Sequence, residues 1–373
     1  MAEALHGAAG RGRTVVLAGN STKRLMAGPI EPADVAITTA SLRRVLEYEP
    51  RDLTISVEAG LRWRELEQLL AENRQMVPLD PPFAEDASVG GVIAANSSGP
   101  RRRIYGTARD SVIGIRLATL EGKQVQAGGM VVKNVAGLDI AKLMIGSFGT
   151  LAAITAVNFK VQPMPEAERS FVVPFDSAAA AAAARDQLLK SQLQPAAVDL
   201  LNPGAASGIG LPQWALAVRT SGNTAAVERY EREFVRFGGT RAFENDNQLT
   251  LWRHVQDFTP QFLAAHEDGA VARTSCTLKE LGTVMAAFPG PAIARAGSGV
   301  CYGYFARSSE AGEWLADARR HGWKAVIEFA SETYRRTQDL WPAPGGDLEL
   351  MKRVKKLFDP SNLLNRGRLY RRI

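Results

Sequence analysis

The chain has 373 residues, 46% of them hydrophobic, and carries 45 Lys and Arg against 39 Asp and Glu, a formal net charge of +6. That apolar content is enough for two domains or one large one. The mild positive excess is spread along the chain without a basic stripe interleaved with aromatics, which argues against nucleic acid, and no run of 18 apolar residues offers a membrane span.

Two cysteines, Cys276 and Cys301, lie far apart in sequence with no C-x-x-C, so the chain supplies no thiolate set for an iron–sulfur cluster or a zinc centre. Both fall in strand-like runs and read as buried, inert thiols. The four histidines lack ligand spacing, and no metal site is expected. Sparse cysteine and the lack of an apolar leader fit a reducing, cytoplasmic setting.

Residues 1–12 are polar and Gly-rich and read as a frayed terminus. A short strand, Thr14–Ala18, empties into Gly19–Lys23 (GNSTK), a loop suited to oxyanions but without the Walker A spacing. Val35–Thr39 is strand-like, Val45–Tyr48 and Leu53–Val57 form a hairpin pattern, and Arg62–Asn73 is an amphipathic helix. A short extended segment then runs into Asp80-Pro81-Pro82, a stiff loop.

The chain is organised around the stretch Ser88–Gly99 (SVGGVIAANSSG). So many small residues let backbone approach a bulky partner, and successive free N–H groups in such a turn can cradle anionic oxygens. Next come a basic turn, a hairpin at Ser111–Leu120 and Lys123–Ala127, the stretch 130–137, and a helix at about Asp139–Ile145. A second small-residue turn, Gly146–Thr150 (GSFGT), opens the strand Leu151–Val161. Loops 19–23, 87–99 and 146–150 thus form three anion-facing candidates at strand ends. Taken singly each is an ordinary turn; together they suit a nucleotide cofactor with a pyrophosphate. The Rossmann fingerprint is absent.

A Pro-rich segment, Gln162–Glu166, marks a boundary. Beyond it strands at 171–175, 197–201, 215–220, 271–276, 292–296, 300–306 and 324–329 alternate with helices at 178–193, 224–237, 248–255, 278–287 and 309–321. Gly238-Gly239 closes the second of those helices. The alternation predicts an α+β, ferredoxin-like layer with helices on one face. Pro342–Gly346 is a linker, and Leu348–Phe358 a basic amphipathic helix before the tail.

The runs ASVGGVIAANSSGPRRRIYGTARDSVIGI and VVKNVAGLDIAKLMIGSFGTLAAITAVNFKV, with PRRxxxGxxRD at Pro100–Asp110 and DPSNLLNRGRL at 359–369, resemble the FAD-binding domain of the vanillyl-alcohol-oxidase/PCMH flavoprotein family. Within it they most resemble the FAD-binding subunits of glycolate (2-hydroxy acid) oxidase complexes. The resemblance implies a PCMH-type FAD-binding domain of two α/β subdomains over 1–162, an α+β cap over 163–341, and a helix and tail over 342–373 that return to the FAD domain. It implies that Gly19, Asn20, Ser21 and Thr22 wrap the pyrophosphate of FAD. Ser88, Gly90, Gly91, Asn96, Ser98 and Gly99 would line pyrophosphate and flavin, and Gly146, Gly149 and Thr150 the adenosine–ribityl side. Pro78 and Asp80 belong to the loop beneath the cofactor, and Ile154 would touch it through its backbone. The nearest histidine to these loops is His6, so FAD is expected to be non-covalent.

Related 2-hydroxy-acid dehydrogenases carry a His-rich C-terminal motif that this chain lacks. His254 is the best remaining candidate for a base, and Arg101–Arg103 and Arg109 for attracting a substrate carboxylate; each has a plain structural alternative. The implied function is oxidation of glycolate to glyoxylate, in company with a second FAD subunit and an iron–sulfur subunit. The complex could sit peripherally at the inner membrane through those partners. A stand-alone FAD oxidoreductase on another small alcohol or acid, and a scaffold that has lost its flavin, stay open.

Overall fold

The structure, a computed structural model, describes residues 1–131, 139–235, 239–371 and 373. The expectations for 130–137 and for the end of the 224–237 helix, with Gly238, fall wholly or partly outside them. The terminus is not frayed: Ala2–Ala9 forms helix α1, whose Ala2, Leu5 and Ala8 are buried with Leu120, Leu363 and Leu364. Three apolar residues at helical spacing close a small core that composition alone hid.

Strand β1 (Val15–Ala18) pairs in parallel with β2 (Val35–Thr38). The hairpin β3 (Val45–Glu49) and β4 (Thr54–Glu58) forms as expected and leads to helix α2 (Trp63–Ala71) and the short β5 (Gln75–Met76). The organising stretch is not all loop, because Val89–Ala94 coils into helix α3 with Ser88 as its cap. Two single-turn helices, α4 (Arg102–Tyr105) and α5 (Ala108–Ser111), occupy the basic turn. Then come β6 (Val112–Ala118), β7 (Gln124–Gly128), α6 (Ile140–Met144), β8 (Ala153–Lys160) and the short β9 (Gln162–Pro163). An antiparallel five-stranded sheet in the order β3-β4-β8-β6-β7 carries α2 and α3 over a core that includes Ile55, Trp63, Leu66, Val92 and Phe159.

The second half goes beyond a single ferredoxin-like layer. The run β10 (Ala167–Phe175), α7 (Ala178–Lys190), β11 (Ala197–Leu201), α8 (Pro203–Ala206), β12 (Trp214–Gly222), α9 (Thr224–Phe234) and β13 (Arg241–Phe243) is one βαββαβ unit with α8 inserted. Helices α10 (Asn245–Gln256) and α11 (Phe258–Ala265) separate it from β14 (Ala270–Ser275), α12 (Leu281–Ala287), β15 (Ala292–Arg295), β16 (Val300–Phe305), α13 (Ser308–Arg320) and β17 (Lys324–Phe329), a second such unit. They fuse edge to edge through antiparallel β11 and β15 into one eight-stranded sheet, β13-β10-β12-β11-β15-β16-β14-β17.

Helices α7, α9, α12 and α13 cover one face of that sheet. The expectation of helices on one face alone is corrected, because α8 and α10 pack on the other, with Leu251, Trp252 and Val255 against Val172, Ala197 and Val271. The sheet's strands are apolar on both sides, so both faces demand cover. Met26 and Ala95 of the N-terminal part join the same cluster, which brings the two sheets together. Helices α14 (Glu332–Thr337) and α15 (Asp347–Phe358) complete the chain.

The two cysteines are not remote in space. Cys276 and Cys301 face each other with their Sγ atoms 3.9 Å apart, the first half-buried and the second buried.

Candidate active site

Three loops expected to share a ligand do converge, and local backbone bonding shows how. Gly90 N–H donates to the Ala59 carbonyl at 2.7 Å, which draws α3 onto the end of β4. A Cβ at Gly90 would stand 2.8 Å from Ala59 Cβ, so only glycine permits that approach. The 146–150 turn is pinned to the end of α3, where Gly146 and Phe148 N–H groups donate to the carbonyls of Ile93 and Ala94. Loop 19–23 is fixed by Asn20 Nδ2, which donates to the Asp86 carbonyl at 2.7 Å.

The tail closes the arrangement. Asn365 accepts from Leu17 N–H at 2.7 Å and donates through Nδ2 to the carbonyls of Leu17 and Phe148. Lys355, buried in α15, donates to the carbonyls of Thr150 and Leu364 and to Asp359, whose carboxylate also accepts from Leu363 and Leu364 N–H. Burial pushes the Lys355 amine down from its ordinary value, against the pull of Asp359.

Between these elements lie two cavities that share Ala95 and Phe148 as a common wall. The smaller, of about 170 Å³, is lined by Gly19, Asn20, Ser21, Thr22, Ser88, Gly90, Gly91, Gly149 and Ile154. The larger, of about 290 Å³, opens between the two sheets. Asn96, Ser98 and Gly146 line it from one side, and Arg273, Arg295, Tyr302 and Tyr304 from β14, β15 and β16 on the other.

Residues 1–128 match the FAD binding domain family, and residues 343–369 match the C-terminal domain of FAD linked oxidases. The N-terminal part of this chain is an FAD-binding domain. Among curated relatives, glycolate oxidase subunit GlcE of Escherichia coli is 32% identical over 57% of this chain and 57% of its own length. Glycolate oxidase subunit GlcD of Bacillus subtilis is 29% identical over 52% of this chain and 42% of its own, so the match spans about half the length of these two relatives. The solved alkyldihydroxyacetonephosphate synthase superposes with a TM-score of 0.72 at 18% identity, covering 97% of this chain and 73% of that one. A 4-ethylphenol oxidase from Gulosibacter chungangensis superposes with a TM-score of 0.71 at 13% identity, over 98% and 86% of the two chains. At such identities these two speak for the fold alone.

The residues present fit FAD. Small residues and their backbone form much of the wall of the smaller cavity, and Lys23, which also lines it, has a buried Nζ without a hydrogen-bond partner among the described residues. Ser97 Oγ, at the larger cavity, is also buried with no hydrogen-bond partner among the described residues. Burial brings the Lys23 amine down to about 7.

Of the residues named from sequence, Gly19 to Thr22, Ser88, Gly90, Gly91, Gly149 and Ile154 line the smaller cavity and Asn96, Ser98 and Gly146 the larger, whereas Pro78, Asp80, Gly99 and Thr150 line neither. Asp80 is committed to Arg101, which meets its carboxylate at 2.5 Å; burial alone would raise that carboxyl, but Arg101 holds it below its ordinary value. Gly99 packs against the Asp80 carbonyl, and the Thr150 hydroxyl donates to Ser147 O.

The catalytic candidates fare worse. His254 lies off both cavities, its Nε2 3.1 Å from the Ala205 carbonyl and its ring edge-on to Phe258, a packed helix histidine. Arg109 is exposed and lines neither cavity. Of Arg101–Arg103 only Arg102 reaches the larger cavity; Arg103 bonds Pro195 O and Gln194.

Sequence reasoning passed over the two guanidinium groups that dominate that cavity. Arg295 is 7% exposed, pairs with the fully buried Asp199 and lies 5.5 Å from the Tyr302 ring centre, while Arg273 pairs with Glu328 at 2.6 Å. Burial lifts the Asp199 carboxyl to about 6 against the pull of Arg295. It also raises the Tyr302 and Tyr304 phenols, so both keep their protons at neutral pH. A lone Arg directly after three apolar residues of a strand (AVARTS, AIAR) was the available signal.

Among the described residues no group of three or more His, Cys, Asp or Glu could hold a metal ion, and no helix is long and apolar enough to cross a membrane.

Proposed function

We propose that the chain is the FAD-bearing subunit of a glycolate-type 2-hydroxy-acid oxidase, producing the 2-oxo acid (glyoxylate from glycolate) and delivering electrons through FAD to an iron–sulfur partner subunit. In this reading residues 1–162 hold FAD, 163–341 form the cap, and 342–373 fasten the two. Twelve of the sequence-named residues would line the cofactor: Gly19, Asn20, Ser21, Thr22, Ser88, Gly90, Gly91, Asn96, Ser98, Gly146, Gly149 and Ile154. When bound, FAD accepts the two electrons and the hydrogen removed from the carbon bearing the hydroxyl.

The observation that carries the substrate reading is the charge balance of the larger cavity. Arg102, Arg273 and Arg295 line it, Glu328 and Asp199 offset two of them, and one positive charge is left for an anion. Arg295 is held by Asp199 from behind, so its guanidinium is oriented before any ligand arrives, and such planar donors suit a carboxylate. The apolar wall of Met26, Phe329 and Trp341 would exclude water around a small hydroxy acid. A subunit is favoured over a stand-alone enzyme by the proton chemistry. Among the described residues lining the cavity there is no histidine, and its two tyrosines hold their protons. Matches to relatives named as subunits of glycolate oxidase support the same reading.

The test is the absorption spectrum of the purified chain, followed by anaerobic glycolate with and without the partner subunits. Flavin bands that bleach with glycolate only in the complex support the subunit reading. Bleaching of the chain alone would make it a complete enzyme, and no flavin bands after FAD addition would sink the proposal. With Arg295→Met in the complex, KM for glycolate should rise by about 100-fold, as expected for loss of a charged hydrogen bond.

A further inference from the structure

Lys23 is hard to explain in a chain without ligand. The residue is 9% exposed, and among the described residues its Nζ has no hydrogen-bond partner. It sits in the loop 19–24 that lines the smaller cavity. Its only described companion is the Phe83 ring, 5.7 Å from the ammonium to the ring centre, worth far less than a hydration shell. An ammonium left in this state is costly, and buried charges persist where something pairs with them. Ser88, Gly90 and Gly91 line the same cavity and bring backbone and a hydroxyl but no carboxylate.

On the reading that FAD occupies this cavity, we propose that Lys23 is the buried counter-ion of the cofactor's diphosphate, and that loading FAD draws a proton onto its amine. Without cofactor, the amine is driven toward its neutral form by burial alone, since no charged neighbour contributes. A diphosphate carries two negative charges and restores the charged form on arrival. The other charged groups near the cavity are Arg24, exposed, and Arg368, whose Nη1 donates to Gly28 O and whose guanidinium lies over Phe148. Burial lowers Arg368 to about 9, above the window of interest. Behind Phe83, Asp257 accepts from its backbone N–H, and Asp86 meets Asn20 only through a carbonyl.

The experiment is calorimetric titration of the FAD-free full chain with FAD, and separately with ADP, in buffers of different ionisation enthalpy. An amine that titrates near 7 predicts uptake of about 0.5 proton at pH 7 and about 0.9 at pH 8. Lys23→Arg keeps a permanent charge and should bind FAD with little proton uptake. Lys23→Met should lose the uptake and bind at least about 10-fold more weakly at pH 7, the loss expected for one charged hydrogen bond. ADP carries the diphosphate without the flavin, and at pH 8, where its own terminal phosphate is ionised, it should reproduce the uptake. Uptake that persists in both variants, or appears with FAD and not ADP, overturns the proposal. A wild-type chain that binds no FAD at all would instead overturn the cofactor reading beneath it.

Discussion

Lys355→Met is the sharpest test of how the tail holds the site. The Lys355 side chain is 7% exposed, and its ammonium bridges three acceptors: Thr150 O at 2.7 Å, Asp359 at 2.6 Å and Leu364 O at 2.9 Å. Methionine fills similar volume but leaves the Asp359 carboxylate, itself fully buried, without its counter-ion. Breaking a buried pair from one side costs about 3–5 kcal/mol, most of it from the stranded partner. The damage should reach the cofactor, because Thr150 and Phe148 are the points where α15 and the tail grip the 146–150 turn. Denaturant unfolding should show a drop of that size together with faster release of FAD. The control is Lys352→Met one turn away, where an exposed pair with Glu349 should cost less than about 1 kcal/mol. If Lys355→Met and Lys352→Met unfold at the same denaturant concentration, the reasoning fails.

The same geometry sets three further outcomes. Gly90→Ala would set a Cβ 2.8 Å from Ala59 Cβ and 3.1 Å from its carbonyl, so it should cost about 1–3 kcal/mol and lower flavin content; equal flavin content and melting would count against the close-approach argument. The Asp199 carboxyl titrates near 6 when folded and near 3.8 when free. The unfolded chain therefore sheds that proton first, and as pH rises from 4 to 7 stability should fall by on the order of 3 kcal/mol from this group. Asp199→Asn should flatten that part of the stability–pH curve, and an unchanged slope would refute it. Finally, Cys276 and Cys301, 3.9 Å apart, should close to a disulfide under mild peroxide, read as loss of two hydrogens by intact mass. Independent alkylation of both thiols after that treatment would show that they do not meet.

Much of the architecture was legible because periodicity carries it. The alternating strands of the hairpin β3–β4 and the amphipathic α2 announce themselves, and so do the helices and strands of the second half. What could not be read was that two βαββαβ units repeat. They are built from different materials, seven consecutive alanines opening α7 in one and Trp314 anchoring α13 in the other. Identical topology needs only matching apolar faces, so no residue pattern had to recur. The terminal helix α1 escaped for a related reason: Ala2 and Ala8 are weak signals, and burial by Leu364 from the far end of the chain is a non-local fact.

The site divides along the same line. Loops that must let a large ligand touch backbone are forced toward small residues, which is why Gly19, Ser88, Gly90, Gly91 and Gly149 could be named in advance. Charged groups carry no such local mark. Arg101 and Arg295 look alike in sequence, yet Asp80 turns the first into a wall brace while Asp199 presents the second to the cavity. Asp80 is 21 residues from its arginine and Asp199 is 96 from its own, distances at which chain order says nothing of pairing. Whether a cation serves the ligand or the fold is thus decided by which buried carboxylate reaches it, and by how much of the guanidinium that carboxylate leaves free. In Arg101, Nε and Nη2 are spent on Asp80 and Nη1 on Met76 Sδ. In Arg295, Asp199 takes Nη1 alone, and among the described residues Nε has no hydrogen-bond partner. The arginine that keeps free donors at the cavity wall is the one equipped to meet an anion.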